Sequence, residues 1–234
     1  PLTNPPLVEA IAHDPILMNC TLIAEAWDAA GLYQVGNFPH YGRFSEWNGR
    51  YRDDLRRFLR GDMGQVPSIS RRVLGSPDMY ANRNPIASIN FITSHDGFSL
   101  HDLFAYNNKH NWSNGENNRD GDNNSLSWNG GIEGETDDAD ILTLRRRLMY
   151  NGLAIMMLSQ GVPMLLMGDE IEHTKQGNNN TYGHDNELNW FNWDNVTRNP
   201  NLLYFCQQLI AFRHAHVLLR QPQFLHQRRQ ASDP

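Results

Sequence analysis

Cysteine is scarce in this sequence. The two cysteines among its 234 residues, Cys20 and Cys206, lie far apart in apolar surroundings. We expect both to be buried free thiols, which argues against a disulfide framework and against a thiolate metal site.

Long apolar runs and an excess of positive charge are also absent. No stretch approaches the ~20 consecutive apolar residues that a membrane-spanning helix needs. Acidic residues outnumber basic ones by 26 to 20, for a formal net charge of −6 spread over the chain. Such a balance argues against a nucleic-acid-binding or anionic-membrane surface. We therefore expect neither nucleic acid nor a membrane among the partners.

What the sequence does contain is an alternation of short apolar runs and longer amphipathic stretches. The short runs predict strands at 20–24, 44–47, 86–93 and 162–167. Helical spacing of apolar residues predicts helices at 6–14, 53–60, 66–74, 139–160 and 201–219. Gly61 and Gly161 follow two of these helices directly, as C-terminal stop signals.

This order predicts an α/β fold. Strands that alternate with helices favour parallel pairing and right-handed crossovers. All of the predicted strands lead into polar, acidic or aromatic loops, which is typical of a (β/α)8 TIM barrel with its functional residues at one face. A full barrel takes eight strands and about 250 residues. We therefore expect half of a barrel in residues 1–219, followed by a polar tail, 220–234, that leads toward a missing C-terminal domain.

Carboxylates follow three of the predicted strands, as Glu25, Asp96 and the pair Asp169–Glu170. If these strands are neighbours in one sheet, the carboxylates converge at one place, the opening at the carboxyl end of the strands, which is called the mouth below. Converging carboxylates push their pKa values apart, so one stays protonated as an acid while another stays ionised. Such a pair is what glycosidic cleavage requires. Flat stacking surfaces for sugar rings are offered by Trp27, Tyr33, Trp47, Tyr51, Phe98, Tyr106 and Trp112.

Each of these residues also has a purely structural interpretation. His95 and Asp96 can be a loop-ordering pair, and Asp169–Glu170 can cap a following helix. Individually, the aromatic residues are as well explained by core or loop packing. The segment 107–138 is long and rich in Asn, Gly and Asp, and its tryptophans favour a functional loop over a linker. Part of it, 114–124, resembles a calcium loop in composition but lacks the ligand order, so we expect no metal.

Several motifs resemble those of the α-amylase superfamily of glycoside hydrolases (family 13). They are LIAEAWD at 22–28, FITSHDG at 91–97 and GVPMLLMGDE at 161–170. Three further motifs resemble one branch of this superfamily, the isoamylases and glycogen-debranching enzymes. They are FSEWNGRYRD at 44–53, NGENNRDG at 114–121 and GNNN at 177–180. The resemblance runs from about Pro5 to His216 and implies that the half barrel is its C-terminal half, strands five to eight.

The resemblance implies roles for individual residues. Glu25 resembles the general acid/base, which protonates the leaving glycosidic oxygen and later activates water. Asp96 resembles the carboxylate that holds sugar hydroxyls and favours the oxocarbenium-like transition state, and His95 resembles the histidine beside it. We expect further substrate-binding residues at Trp27, Asp28, Trp47 and Arg52. The implied substrate is the α-1,6 branch linkage of glycogen or starch, cut with retention, and no cofactor is expected.

Two departures from the family pattern limit the resemblance. Ala26 stands where close relatives usually have proline, which we expect to loosen the loop without removing the acid. The nucleophile, an aspartate in an Arg-x-Asp motif on the fourth barrel strand, precedes everything present here. Arg60-Gly61-Asp62 has that spacing but ends a helical pattern, so we reject it. We therefore expect the isolated chain to be inactive.

Two other functions stay open for the parent protein, a non-catalytic carbohydrate-binding relative and an α-glucan transferase of the same superfamily. Glu25, His95 and Asp96 argue against the first, and the Asn-rich loops argue against the second. The unpaired strand edges of a half barrel predict self-association. No signal peptide is visible in these residues, and Pro1 is not a natural start, so we expect the native N-terminus upstream and a cytoplasmic location, or a plastid one in a plant.

Overall fold

The computed structural model describes residues 4–225, which are organised around one parallel sheet. Its strands are β1 (Leu22–Ala24), β2 (Phe44–Trp47), β3 (Ser88–Asn90) and β4 (Val162–Pro163). They lie in the order β1-β2-β3-β4, and every neighbouring pair is parallel. The predicted parallel α/β arrangement is confirmed, and because the strands all run the same way, their carboxyl ends share one edge of the sheet.

Strands β3 and β4 are shorter than predicted. The apolar runs continue beyond the hydrogen-bonded ladder, since Phe91 and Ile92 are buried in the core although they follow β3. After β4 a single further bond, from Met164 N to Asn90 O at 2.7 Å, extends the pairing. Ahead of β3, Pro85 begins a 3-10 turn, Pro85–Ala87, because its missing N–H suits the start of a turn. The apolar pattern therefore predicted burial more accurately than strand length.

The helices between residues 4 and 225 follow the predicted periodicity closely. They are α1 (Pro6–His13), α2 (Gly49–Arg60), α3 (Val66–Val73), α4 (Pro77–Tyr80), α5 (Leu100–Leu103), α6 (Ala139–Leu158), α7 (Asn195–Arg198) and α8 (Pro200–Ala215). Helix α2 begins earlier than predicted because the Asn48 side chain caps it, accepting from Tyr51 N at 2.9 Å. Helices α4, α5 and α7 were missed, since a single turn carries no apolar period.

The connection from β1 to β2 does not contain a helix, in keeping with the predicted bounds, which place no helix between 24 and 44, so strand and helix do not alternate strictly. The loop 25–43 is instead tied by local bonds. Trp27 and Tyr33 form an isolated antiparallel bridge, and Gln34 N donates to Ala26 O at 2.7 Å. The carboxylate of Glu46, buried in β2, accepts from Gly36 N at 2.6 Å. The loop after Glu25 is thus closed by its own backbone.

The core lies between the sheet and helices α2, α6 and α8. Buried apolar side chains of these helices pack together with Ile92 and the segment around α5. Three aromatic residues predicted as possible sugar platforms, Tyr51, Phe98 and Tyr106, belong to this core, so that prediction is wrong for them. All three rings are buried, and the Tyr51 hydroxyl lies 2.8 Å from Ser159 Oγ.

The two cysteines are both free, but only one is buried. Cys206 lies in the core on α8, as predicted, whereas Cys20 is exposed. Cys20 was expected to lie in the first strand, but that strand begins at Leu22, and Cys20 lies in the preceding turn. Within residues 4–225, no helix is both long enough and apolar enough to cross a membrane.

The start of the predicted polar tail folds back onto the end of α6. Gln160 Nε2 donates to Gln223 O at 2.7 Å, and Leu225 N donates to Gln160 Oε1 at 2.8 Å. The rest of that tail, 226–234, lies outside the described residues.

Candidate active site

Aromatic and polar side chains from three segments meet at the carboxyl end of the sheet. Trp27 follows β1, Trp47 ends β2, and His95 follows β3. The rings of Trp27 and Trp47 have centroids 6.3 Å apart, and His95 stands edge-on to Trp47 at 5.7 Å. His95 Nε2 lies 3.6 Å from Asp96 Oδ2. The parallel order of the strands thus brings together residues that are distant in sequence.

The two predicted catalytic carboxylates are open to solvent. Glu25 is the first residue after β1 and is exposed, and the Asp96 side chain is 70% exposed. Among residues 4–225, no hydrogen bond occupies either carboxylate. His95 is 62% exposed, and its distance to Asp96 is longer than a hydrogen bond. These carboxylates and the imidazole are therefore free to meet a ligand, although their roles stay predictions.

The other predicted substrate-binding residues differ in how they are held. Asp28 Oδ1 accepts from Ala30 N at 2.8 Å and from Leu32 N at 3.0 Å, so one of its oxygens orders its own loop. Arg52, in α2, donates through Nε to Asp53 Oδ1 at 2.7 Å. The Arg52 guanidinium also lies 5.8 Å from the centre of the Phe91 ring, which in turn contacts Trp47 at 5.5 Å.

Asp169 lies beneath the mouth and not at it. Its side chain is buried, its Oδ1 accepts from Leu100 N at 2.8 Å, and its Oδ2 accepts from the Thr93 hydroxyl. Both interpretations of Asp169 from the sequence are therefore wrong, because it neither opens to the mouth nor caps the helix that follows it. Instead it caps α5, which precedes it. Thr93 and Leu100 flank the loop 94–99, so Asp169 closes the loop that carries Asp96.

Asp169 is also electrostatically unusual. Burial raises the pKa of its carboxyl to about 7, in spite of the two hydrogen bonds that favour ionisation. Its neighbour Glu170 is only half-buried and accepts from Gly168 N at 2.8 Å, which shapes the turn after β4.

Asp102, which the sequence analysis missed, connects the same two segments in the opposite direction: it follows β3 and accepts hydrogen bonds from residues after β4. It lies in α5, after β3, and is completely buried. It accepts from the segment after β4, through the Thr174 hydroxyl at 2.5 Å, Lys175 N at 2.8 Å and Gly177 N at 3.3 Å. One signal was available, because Ser99 and Asp102 have the S-x-x-D spacing of a capping box, and Asp102 N donates to Ser99 Oγ at 3.3 Å.

Lys175 is a second residue that sequence reasoning missed. It is buried, and burial lowers the pKa of its ammonium group, while the charges of Asp102, Asp169 and Asp96 act in the opposite direction. The positive charge of Lys175 acts on these carboxylates and reduces the repulsion among them. Lys175 therefore stabilises the ionised forms of the carboxylates at and beneath the mouth.

The two Asn-rich loops, 107–124 and 176–189, are joined to each other and to the loop that carries Asp96. Asn111 and Asn179 exchange two hydrogen bonds of 2.9 Å, from Nδ2 to Oδ1 and from backbone N to Oδ1. Asn179 O accepts from Gly97 N at 3.0 Å. Across residues 4–225, no group of three or more His, Cys, Asp or Glu side chains is placed to hold a metal ion.

Comparison with curated proteins finds isoamylases and a glycogen operon protein among the relatives of this chain. It is 50% identical over 228 residues to isoamylase 3, chloroplastic, of Oryza sativa, and 52% identical over 215 residues to isoamylase 1, chloroplastic, of Arabidopsis thaliana. It is 49% identical over 219 residues to a glycogen operon protein GlgX homolog of Mycobacterium tuberculosis. These matches cover 96%, 91% and 92% of the chain but only 29%, 28% and 30% of the relatives. The predicted resemblance is confirmed, and the chain spans less than a third of these relatives.

Solved structures with the same fold include pullulanases. The pullulanase from Bacillus acidopullulyticus superposes with a TM-score of 0.70 at 23% identity, covering 92% of this chain and 25% of that one. The Paenibacillus barengoltzii pullulanase in complex with maltohexaose and α-cyclodextrin gives 0.68 at 22% identity, covering 92% of this chain and 33% of that one. No protein-family profile matches the chain. The pullulanase likeness supports the α/β fold with its parallel sheet.

Proposed function

We propose that this chain, a homologue of isoamylases and GlgX proteins, is the C-terminal half of a catalytic (β/α)8 barrel within a longer protein. The proposal is supported by strands in sequential parallel order whose outer members, β1 and β4, each have one strand neighbour within residues 4–225. It is also supported by the share of the relatives that the chain spans, about 30% for the GlgX homolog. Residues 1–219 form strands five to eight, and 220–234 lead toward a further domain.

The whole protein hydrolyses α-1,6-glucosidic branch linkages of an α-glucan such as glycogen or starch, with retention. The observation that carries this is the exposure of Glu25 and Asp96 at one end of the sheet, beside the Trp27–Trp47–His95 cluster. A carboxylate nucleophile from the missing half attacks the anomeric carbon while Glu25 gives its proton to the departing oxygen. Water then attacks the same carbon, the Glu25 carboxylate takes a proton from that water, and the bond between the sugar and the nucleophile breaks.

The position of β1 supports this division of roles. Because β1 is an outer strand, the missing neighbour that pairs with it ends beside Glu25. A retaining enzyme holds its two carboxyl groups about 5 Å apart, which adjacent strand ends permit. Asp96 and His95 bind hydroxyl groups of the same sugar, and Trp27 and Trp47 pack against its apolar face.

The same proposal covers partners and location. The substrate is an α-glucan polymer, with neither nucleic acid nor membrane as a partner. The protein is cytoplasmic or, in a plant, plastidial, in line with the names of the plant relatives. The open edges at β1 and β4 make the isolated chain self-associate.

The test compares the full-length protein with its Glu25→Gln variant on glycogen. We expect reducing ends from the wild type, the first-formed product in the α-anomer by NMR, and a loss of at least about 10³-fold in turnover for the variant. The matched control is Asp194→Asn, which changes an exposed carboxylate on the surface and leaves turnover intact. The isolated 234-residue chain should be inactive, and turnover by it at an ordinary enzyme rate would disprove the missing nucleophile.

Product analysis separates the two alternatives. A transferase makes new glucosidic linkages without a matching rise in reducing ends. A binding protein binds glycogen without turnover, and its Glu25→Gln variant loses affinity only.

A further inference from the structure

We propose that a polar pocket between the two Asn-rich loops is a separate subsite for an α-glucan chain. This pocket, the loop pocket, has a volume of about 380 Å³ and is lined by Asn114, Asp120, Asn180, Tyr182 and His184 among others. Its volume lies within the range of about 300–1,000 Å³ that is usual for small-ligand sites. The inference rests on the proposed function, since it assigns a second contact to the same polymer.

The walls of the loop pocket are fixed in place by hydrogen bonds. Asp120 Oδ2 accepts from Asn114 Nδ2 at 2.7 Å and from Asn180 Nδ2 at 2.8 Å. His184 Nε2 lies 2.7 Å from Asn114 Oδ1. The bonds from the two amides hold the pKa of Asp120 below its ordinary value, so the carboxylate is ionised at neutral pH. A prearranged polar wall lowers the entropic cost of binding a hydroxyl-rich ligand.

Close contacts between and within the two Asn-rich loops hold these side chains in place. Gly121, with φ +73°, passes so near Asn179 that an added Cβ would overlap its Oδ1. Lys109 Nζ donates to Asp120 O at 2.6 Å on the same turn. The pocket wall is therefore a rigid part of the fold.

Exposed aromatic rings stand at the same place. Tyr182 lines the loop pocket and is 87% exposed, and Trp112, next to the lining residue Ser113, is 66% exposed. Large exposed rings beside polar groups are the combination that recognises sugars, because a pyranose has an apolar face and a rim of hydroxyls. A site for a small anion or a metal ion has no use for these rings.

The position of the loop pocket relates it to the candidate active site. Asn180 lines the pocket, and the preceding residue, Asn179, accepts from Gly97 N, beside Asp96. The hydrogen bond between Gly97 N and Asn179 O thus fixes the position of the loop pocket relative to the loop that carries Asp96. A polymer bound at Asp96 can continue into the pocket, which then selects long chains over short oligosaccharides.

Gly183 offers a way to fill the loop pocket without disturbing the fold. It lines the pocket, its φ is not in the left-handed region, and a Cβ there meets no atom within 4 Å. Gly183→Leu adds a branched side chain at the lining of the loop pocket, whereas Gly183→Ala is the matched control, which adds only a methyl group. Tyr182→Ala removes the exposed ring.

The experiment measures KM and kcat of the full-length protein on glycogen and on a short α-1,6-branched oligosaccharide. We expect Gly183→Leu and Tyr182→Ala to raise KM for glycogen about fivefold, the change that one lost aromatic contact of about 1 kcal/mol produces. The values of kcat, and KM for the short substrate, should stay unchanged, as should all values for Gly183→Ala. An unaltered KM for glycogen in Gly183→Leu would overturn the subsite while leaving the proposed function intact.

Calorimetry with maltohexaose on the Glu25→Gln background separates the subsite from the reaction. We expect Gly183→Leu to weaken this binding, and that result supports the subsite even if the wild type proves to be no hydrolase. Equal affinity of the Gly183→Leu and Gly183→Ala variants for maltohexaose would overturn it. Calcium binding that Gly183→Leu abolishes, without any effect on maltohexaose, would overturn it as well.

Discussion

Two pairs of carboxylates near the carboxyl end of the sheet have opposite surroundings. Glu25 and Asp96 are exposed, and no hydrogen bond from residues 4–225 reaches their oxygens. Asp102 and Asp169 are buried, and each accepts hydrogen bonds from the segment after the other's strand. The first pair is available to a ligand, and the second joins the loops that present it.

The contrast shows that a place after a strand does not decide what a carboxylate does. Asp169 follows β4 much as Glu25 follows β1, with an apolar run ahead of each. The difference arises from the loops, because Thr93 and Leu100 direct donors at Asp169, whereas no donor among residues 4–225 reaches the Glu25 carboxylate. The exposed pair should therefore affect activity without affecting stability, and the buried pair should affect stability first.

The largest effect is expected at the exposed pair. Asp96→Asn in the full-length protein should lower kcat by about 10²–10³-fold, because an amide stabilises the developing positive charge poorly. Its free energy of unfolding should stay within about 0.5 kcal/mol of wild type, since the side chain is exposed. Steady-state kinetics and urea unfolding measure the two quantities. A loss of stability comparable with that of a core variant would remove the distinction between the pairs.

At the buried pair, Asp102→Ala should lower the free energy of unfolding by about 3 kcal/mol, because it leaves the Lys175 and Gly177 amides without their buried acceptor. Denaturant unfolding measures the change. Asp194→Ala, at an exposed position whose carboxylate lies 3.8 Å from Arg198 Nη2, is the control and should cost less than about 0.5 kcal/mol. If both variants cost the same, the reciprocal bonds do not stabilise the loops.

Asp169→Asn should change how stability depends on pH. The carboxyl has a pKa of about 7 when folded, against about 4 when unfolded. The folded state thus binds the proton more tightly, so this group's stabilising contribution is full below pH 4 and is lost as pH rises to 7. Asparagine does not titrate but can still accept from Leu100 N. In the Asp169→Asn variant we therefore expect the decline in the free energy of unfolding between pH 4 and 7 to be about 2–4 kcal/mol smaller than in the wild type.

Urea unfolding between pH 4 and 8 measures this slope. Asp194→Asn should leave the slope unchanged, because that side chain is exposed. An undiminished slope in Asp169→Asn would show that another group titrates in this range.

The smallest effect is expected at Asp28, which lies between the two classes because it is exposed yet bonded to its own loop. Asp28→Ala should lower the free energy of unfolding by about 1 kcal/mol at most, since water can replace the lost acceptor. We expect KM of the full-length protein for glycogen to change less than about threefold. A KM that rises more than tenfold would instead place Asp28 on the substrate.

The sequence by itself determined the long helices, the parallel α/β class and the positions of Glu25 and Asp96 after strands. Apolar periodicity and stop signals are local, so they predicted α6 and the C′ glycine of α2 correctly. The family resemblance was equally accessible, because motifs such as residues 22–28 depend on short stretches of chain.

Only the tertiary structure decided which polar and aromatic residues are buried, and with which partners. The donors to Asp169 lie 69 and 76 positions away, and the donors to Asp102 from the segment after β4 lie 72 to 75 positions away, beyond any local pattern. Tyr51 and Phe98 became core and Cys20 became exposed for the same reason. Burial depends on what the rest of the chain packs against a residue, and this is set by long-range contacts and not by neighbours in sequence.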